Sequence, residues 1–257
     1  MSPTTAKSSP AEAAHPTTLA IDVGGTGLKA SVLDAKGNMM ADRVRVKTPH
    51  PIDPNLLVDT VVELAKPLPP FDRVSVGFPG VVRGGVIRTA PNLGTEEFRG
   101  FDLATALSER WGNPVRVIND ADMQGFAAIK GQGVEMVITL GTGFGSSLFL
   151  DGRLGPHLEL AHHPFHKGKT YEEELGDKAR KKLGKKKWSR RVIEGIDLLR
   201  VLTNFDHLYI GGGNAGRIDG ELPEDVSLVD NAAGVLGGIR LWEMVERRGA
   251  GRVKRET

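Results

Sequence analysis

The chain has 257 residues, no cysteine and a formal net charge of +2, with 39% hydrophobic and 26% charged residues. That length suffices for a large core and two lobes, and the lack of cysteine excludes disulfides and thiolate metal sites. No apolar run approaches the ~20 residues of a membrane span, and so small a charge gives no general field for nucleic acid.

Residues 1–17 are rich in Ser, Thr, Pro and Ala without the apolar segment of a secretory signal, which predicts a flexible tail on a cytoplasmic protein. A strand over Leu19–Val23, the turn Gly24-Gly25-Thr26-Gly27 and a second strand over Leu28–Asp34 read as a hairpin. Its N–H groups can hold phosphate oxygens. Thr26 adds a hydroxyl, Lys29 a positive charge and Asp22 a carboxylate suited to hydrated Mg²⁺. A plain hairpin with an Asp before it fits these residues equally well, and neither a P-loop nor a Rossmann fingerprint is present. After a turn at Lys36-Gly37-Asn38 come a third strand at Val44–Val46, a proline-rich connection over 48–54, an amphipathic helix over Pro54–Leu64 and a strand over Val74–Phe78. A short hairpin turning at Gly84-Gly85 precedes Ala90-Pro91-Asn92-Leu93-Gly94, where Asn92 is either a turn former or a partner for a sugar hydroxyl.

A helix over Asp102–Trp111 leads to Val115–Asp122, which opens as a strand and breaks into polar residues before a helix-like run, Met123–Ile129. Asn119 and Asp120 therefore stand at the carboxyl end of a strand, where open α/β sheets bind ligands. Asp120 can accept a proton from a substrate hydroxyl while Asn119 orients the substrate; in the alternative reading Asp120 or Asp122 caps the next helix. Met136–Leu140, the turn Gly141-Thr142-Gly143-Phe144-Gly145-Ser146 and Ser147–Leu150 repeat the strand–glycine turn–strand unit. Two such hairpins, each opening an α/β half, suggest a duplicated architecture gripping a phosphate chain from both sides.

Glu159 and His162 would share one side of a helix or turn. His163 and His166 lie nearby, in a spacing not typical of zinc sites. From Lys178 to Arg191, nine of fourteen residues are basic, and Lys178, Lys181, Lys182 and Lys185 recur at helical spacing. That face is either simply solvated or a track for a polyanion. A helix over Val192–Leu202, a strand over His207–Ile210, a third glycine turn at Gly211-Gly212-Gly213-Asn214 and a helix over Ala232–Arg247 complete the chain.

In combination and order these motifs resemble the ROK sugar kinases of the hexokinase/actin-like superfamily, from about Leu19 to Arg247. The resemblance implies an α/β, two-lobed actin-like/ribonuclease H-like ATPase fold, with duplicated hairpin-containing mixed sheets and a sugar cleft between the lobes. Residues 18–118 would form the first domain and 119–257 the second, the helix 232–247 packing back on the first. Asp120 becomes the catalytic base, and Asn92, Asn119, Asp120, Glu159, His162 and Glu172 the sugar contacts. Asp22, Gly24, Gly25, Thr26, Gly27 and Lys29 match the first phosphate motif, and Gly141, Thr142, Gly143 and Gly145 the second. Gly211, Gly212, Gly213 and Asn214 match the nucleotide turn. Mg²⁺, held by Asp22 directly or through water, is the implied cofactor.

Two departures narrow the resemblance. The cysteine-rich zinc motif of most members is replaced by His162–Thr170, so no zinc is expected, and the residues before the first strand are too few for the helix-turn-helix of the family's repressors. With Gly24–Lys29 and the basic run, these features resemble the polyphosphate glucokinase branch, some of whose members accept ATP or mannose. The expected partners are glucose, with mannose as a second acceptor, inorganic polyphosphate and ATP, in a monomer or homodimer, with neither nucleic acid nor membrane. An ATP-only hexose or amino-sugar kinase would keep every motif and leave the basic run as ordinary surface. A sugar-sensing regulator is the alternative from another class.

Overall fold

The structure is a computed structural model that describes residues 16–229 and 237–242. Strands β1 (Thr18–Val23), β2 (Gly27–Leu33) and β3 (Val44–Lys47) form an antiparallel meander. Helix α1 (Pro54–Ala65) then crosses to β4 (Arg73–Phe78), which lies parallel to β1. Asp53 accepts from the N–H groups of Asn55 and Leu56 to cap α1, and the helix buries Leu57, Val58, Val61 and Leu64. A small hairpin, β5 (Val82–Arg83) with β6 (Val86–Ile87), precedes the single turn α2 (Thr95–Phe98) and α3 (Leu103–Trp111). Strand β7 (Val115–Asn119) then completes the sheet parallel to β4, in the order β3-β2-β1-β4-β7.

Helix α4 (Asp120–Ala128) leads into a second sheet. Strands β8 (Val134–Leu140), β9 (Phe144–Leu150) and β10 (Arg153–Leu154) are again an antiparallel meander. The hairpin β11 (Pro164–His166) with β12 (Lys169–Thr170) follows, and then helices α5 (Tyr171–Leu175), α6 (Asp177–Leu183) and α7 (Lys185–Thr203). Strand β13 (His207–Gly211) runs parallel to β8, and β14 (Val226–Leu228) parallel to β13, giving β10-β9-β8-β13-β14. The two sheets therefore share one topology, the duplication that the repeated hairpins predict. Each has its own core. Leu19, Ile21, Val74 and Val76 pack against α1 and α3 in the first, and Met136, Ile138, Leu208 and Ile210 against α7 in the second.

Helix α4 packs on β4 and β7 of one sheet and on β8 and β9 of the other. Gly125 permits the approach, since a Cβ there would stand 2.4 Å from Ser147 Oγ. Residues 237–242 are helical and return to the first sheet, where Trp242 Nε1 donates to Ser75 Oγ (2.8 Å) and Ser75 Oγ to the Gly238 carbonyl (2.7 Å). The Arg116 guanidinium stacks 3.8 Å from the centre of the Trp242 ring. The other residues of the expected helix 232–247, and nearly all of the expected tail, lie outside the described residues.

Candidate active site

The β1–β2 and β8–β9 hairpins meet across one cavity of about 590 Å³. Asp22, Gly24, Gly25, Thr26 and Lys29 line it from the first half, and Gly141, Thr142, Gly143 and Gly145 from the second. Asn92, Asn119, Asp120, Glu159, His162, Glu172, Gly212 and Gly213 line it as well. Gly27, Gly211, Asn214, Lys178, Lys181, Lys182 and Lys185 do not.

Both glycine turns are braced through their carbonyls. In the first, Gly24 N–H donates to the Gly27 carbonyl (3.1 Å) and Thr48 Oγ1 to the Gly24 carbonyl (2.6 Å), while His50 Nε2 lies 2.7 Å from the Gly25 carbonyl. In the second, Gly141 N–H donates to the Gly143 carbonyl (3.1 Å), and Asp177 N–H to the Gly141 carbonyl (3.0 Å). Asn214 Nδ2 adds a bond to the same Gly141 oxygen at 3.1 Å. Among the described residues the N–H groups of Gly25, Thr26, Thr142 and Gly143 take no protein acceptor. Turns whose carbonyls are tied back and whose N–H groups are free can cradle an anion.

Asn214, expected at a nucleotide, is buried, and its amide bonds Gly141 and Asp177 (3.3 Å). It gets there because Gly212, at φ 91°, turns the chain so tightly that a Cβ would stand 2.3 Å from the Leu140 carbonyl. Thr48, His50 and Asp177 escape sequence reasoning because they lie far along the chain from the turns they brace.

Asp120 is the first residue of α4, three positions before the expected helical run. Asn119 is the cap, its Oδ1 accepting from the N–H groups of Ala121 (2.8 Å) and Asp122 (3.3 Å), so neither Asp120 nor Asp122 is used for capping. Asn119 Nδ2 also donates to the Gly80 carbonyl (3.0 Å), leaving one amide hydrogen for a ligand. One Asp120 oxygen accepts from Ala121 N–H (2.9 Å), and the other has no hydrogen bond among the described residues. Burial above all, and next the charge of Asp22, push the Asp120 carboxyl up to about 7 against that bond.

His157, missed in the sequence, joins two carboxylates, one of them Asp122 on α4. Its Nδ1 lies 3.0 Å from Asp122 Oδ2 and its Nε2 2.9 Å from Glu159 Oε1. Burial pulls the imidazole down, but those two bonds outweigh it and push His157 up to about 10, a cation that donates to both. The same bond holds Glu159 below its ordinary range. The alternation His157-Leu158-Glu159 was the available signal. His162 ends a 3₁₀ turn, Leu160–His162, and lines the cavity near Glu159.

Glu172 lies against the second turn, where a Cβ on Gly143 would meet its Oε2 at 2.7 Å. Of the nearby histidines, His163 caps the 3₁₀ turn and His166 lies on the β11–β12 hairpin. His166 Nδ1 lies 3.0 Å from Glu194 Oε1, and Phe165 stacks on Tyr171 with ring centres 4.6 Å apart.

The basic run does not form one helical face. Gly184, at φ 75°, ends α6 and separates Lys178, Lys181 and Lys182 from Lys185 on α7. Lys181 pairs with Asp177 (2.7 Å) and Lys185 with Asp219 (3.1 Å).

The residues fit Mg²⁺. Among the described residues no three His, Asp or Glu side chains gather into a metal cage, but Mg²⁺ is usually bound by one or two carboxylates, substrate phosphates and several waters. Asp22 offers one such carboxylate beside a phosphate cradle, half-exposed and bonded to Lys29 Nζ at 2.9 Å.

Residues 18–166 match the sequence profile of the ROK family. The chain is 30% identical over 236 residues to a polyphosphate glucokinase of Mycobacterium tuberculosis, covering 84% of this chain and 88% of that protein. It superposes with a TM-score of 0.77 and 30% identity on the inorganic polyphosphate/ATP-glucomannokinase of Arthrobacter sp. strain KM, covering 90% of this chain and 100% of the other. A ROK family glucokinase from Streptomyces griseus, solved with glucose and AMPPNP, shares the fold at a TM-score of 0.67 and 19% identity, over 90% of this chain and 99% of its own. The duplicated sheets thus form the two-lobed actin-like fold of these kinases. With its two glycine hairpins, the Asn119-Asp120 step between them and a matching profile over more than half its length, the chain belongs to the ROK family.

Proposed function

We propose that the protein transfers the terminal phosphoryl group of inorganic polyphosphate, and of ATP as a second donor, to the 6-hydroxyl of glucose, with mannose as a second acceptor. The observation that carries this reading is the meeting of Asp120, raised to about 7, with two anion-cradling turns in one cavity. Asn92, the remaining N–H of Asn119, Glu159, His162 and Glu172 hold the sugar hydroxyls. Asp120 accepts the 6-hydroxyl proton as that oxygen attacks phosphorus, a contribution of typically ~10²–10⁴-fold. The N–H groups of Gly25, Thr26, Thr142 and Gly143, with the two threonine hydroxyls, stabilise charge on the transferred group. Asp22 holds Mg²⁺, which when bound neutralises donor phosphate charge. Approach of the lobes excludes water, so that the sugar rather than water receives the group.

The testing experiment is glucose 6-phosphate formation with Mg²⁺, using nucleotide-free protein and either polyphosphate or ATP. Turnover with polyphosphate is expected. Turnover with ATP alone would replace the donor, and turnover with neither donor on glucose or mannose would overturn the reading.

A further inference from the structure

The first sheet carries a row of cations that the proposed chemistry has not used. Lys29 on β2 stands opposite Asp22 on β1 and opposite Arg45 on β3, and Gly27 stands opposite Lys47. Directly opposed residues in a sheet point to the same face, and residues two apart along a strand share it. Asp22, Lys29, Ser31 and Arg43 all line the cavity, so that face is the one turned toward it. Alternation puts Arg45 and Lys47 on the same face, beyond the cavity rim. Arg43, Arg45 and Lys47 are exposed, and among the described residues they make no ion pair. At about 6.8 Å per residue pair, Arg43 to Lys47 spans roughly 13 Å. Asp22, which stands opposite Lys29 on this face, is bonded to it.

We propose that Lys29, Arg43, Arg45 and Lys47 form the track for the upstream phosphates of a linear polyphosphate whose end lies in the glycine turns. The inference rests on the polyphosphate-donor reading and adds the direction in which the chain leaves the cleft. Three cations in a row, unpaired among the described residues and continuous with the cavity, suit a long polyanion through counterion release. The helical lysines suit it less: two are already paired, and none lines the cavity.

The test compares wild-type protein, Arg45→Gln/Lys47→Gln and Lys178→Gln/Lys182→Gln. Binding of long-chain polyphosphate and of tripolyphosphate is measured by calorimetry across a salt series, with glucose 6-phosphate formation measured in parallel. The strand variant should weaken long-chain binding about 10-fold or more and lower its log–log salt slope by roughly 1.4, at about 0.7 per cation. Tripolyphosphate should respond less, and the helix variant should lose less than the strand variant. An unchanged slope in the strand variant, a larger loss in the helix variant, or no long-chain binding by the wild type would each overturn the track. Long-chain binding lost in the strand variant, with no turnover of polyphosphate by the wild type, would sink the donor reading and leave the track standing. Polyphosphate turnover with an unchanged KM in the strand variant would do the reverse.

Discussion

Asp120 and His157 carry the two titrations that set the chemistry of the cleft. With its carboxyl at about 7, Asp120 is protonated below neutrality and cannot accept the 6-hydroxyl proton. The kcat/KM for glucose should therefore rise tenfold per pH unit up to about 7 and level off above it, as a pH–rate profile at saturating donor would read. A plateau reaching down to pH 5 would remove Asp120 as the titrating base. The same shift has a stability sign. A carboxyl at 3.8 unfolded and about 7 folded binds more protons when folded, so its contribution falls as pH rises through that window. Asp120→Asn should accordingly melt higher than wild type at pH 8, the difference closing toward pH 4. His157 titrates in the same sense, its folded value of about 10 lying above the ordinary 6.5, but there the fold favours the charged form. Its stabilisation is full below 6.5 and is lost as pH climbs through 10. His157→Asn should therefore be least stable relative to wild type in acid. With Glu159 freed from its cation, that variant should also raise the glucose KM about 10-fold, the scale of one charged hydrogen bond, with a smaller change in kcat. Steady-state kinetics that moved kcat alone would assign His157 elsewhere.

At the scale of elements, the hairpins are plain in the sequence and the braces obscure. Gly24–Gly27 and Gly141–Gly143 stand between short apolar runs, so strand, turn and strand are visible from local residues, and the equal topology of the sheets follows from their repetition. Boundaries are lost where polar residues begin a helix. Asp120-Ala121-Asp122 looks like loop but is the first turn of α4, because Asn119 supplies the cap. Likewise α7 begins at Lys185, seven residues before the expected Val192, since its first turn is basic. The lysine spacing suggests one continuous face because spacing does not register a single glycine at positive φ. Asn214 lies in the expected loop, and its side chain braces the second glycine turn through Gly141. Asn214→Ala should cost about 1–3 kcal/mol in denaturant unfolding, as a buried bond lost. It should also raise the donor KM more than the glucose KM; equal changes would leave the brace without a role in donor binding.

Across the whole molecule, acceptor and donor groups are divided between halves that meet at α4. Asp22, Thr26 and Asn92 come from the first half, Thr142, Glu159, His162 and Glu172 from the second, and Asp120 from the helix packed on both sheets. Trp242 and Gly238 fasten the end of the described chain to β4 of the first sheet, through Ser75. In the proposed mechanism Asp120 meets the reacting hydroxyl, while several other groups hold the sugar. The direct measurement is therefore Asp120→Asn, read by glucose calorimetry and by turnover with each donor on the same folded protein. The account predicts glucose binding within about 10-fold of wild type and turnover reduced by ~10²–10⁴-fold. Turnover near the wild-type rate, or loss of glucose binding in step with turnover, would contradict a catalytic base at Asp120.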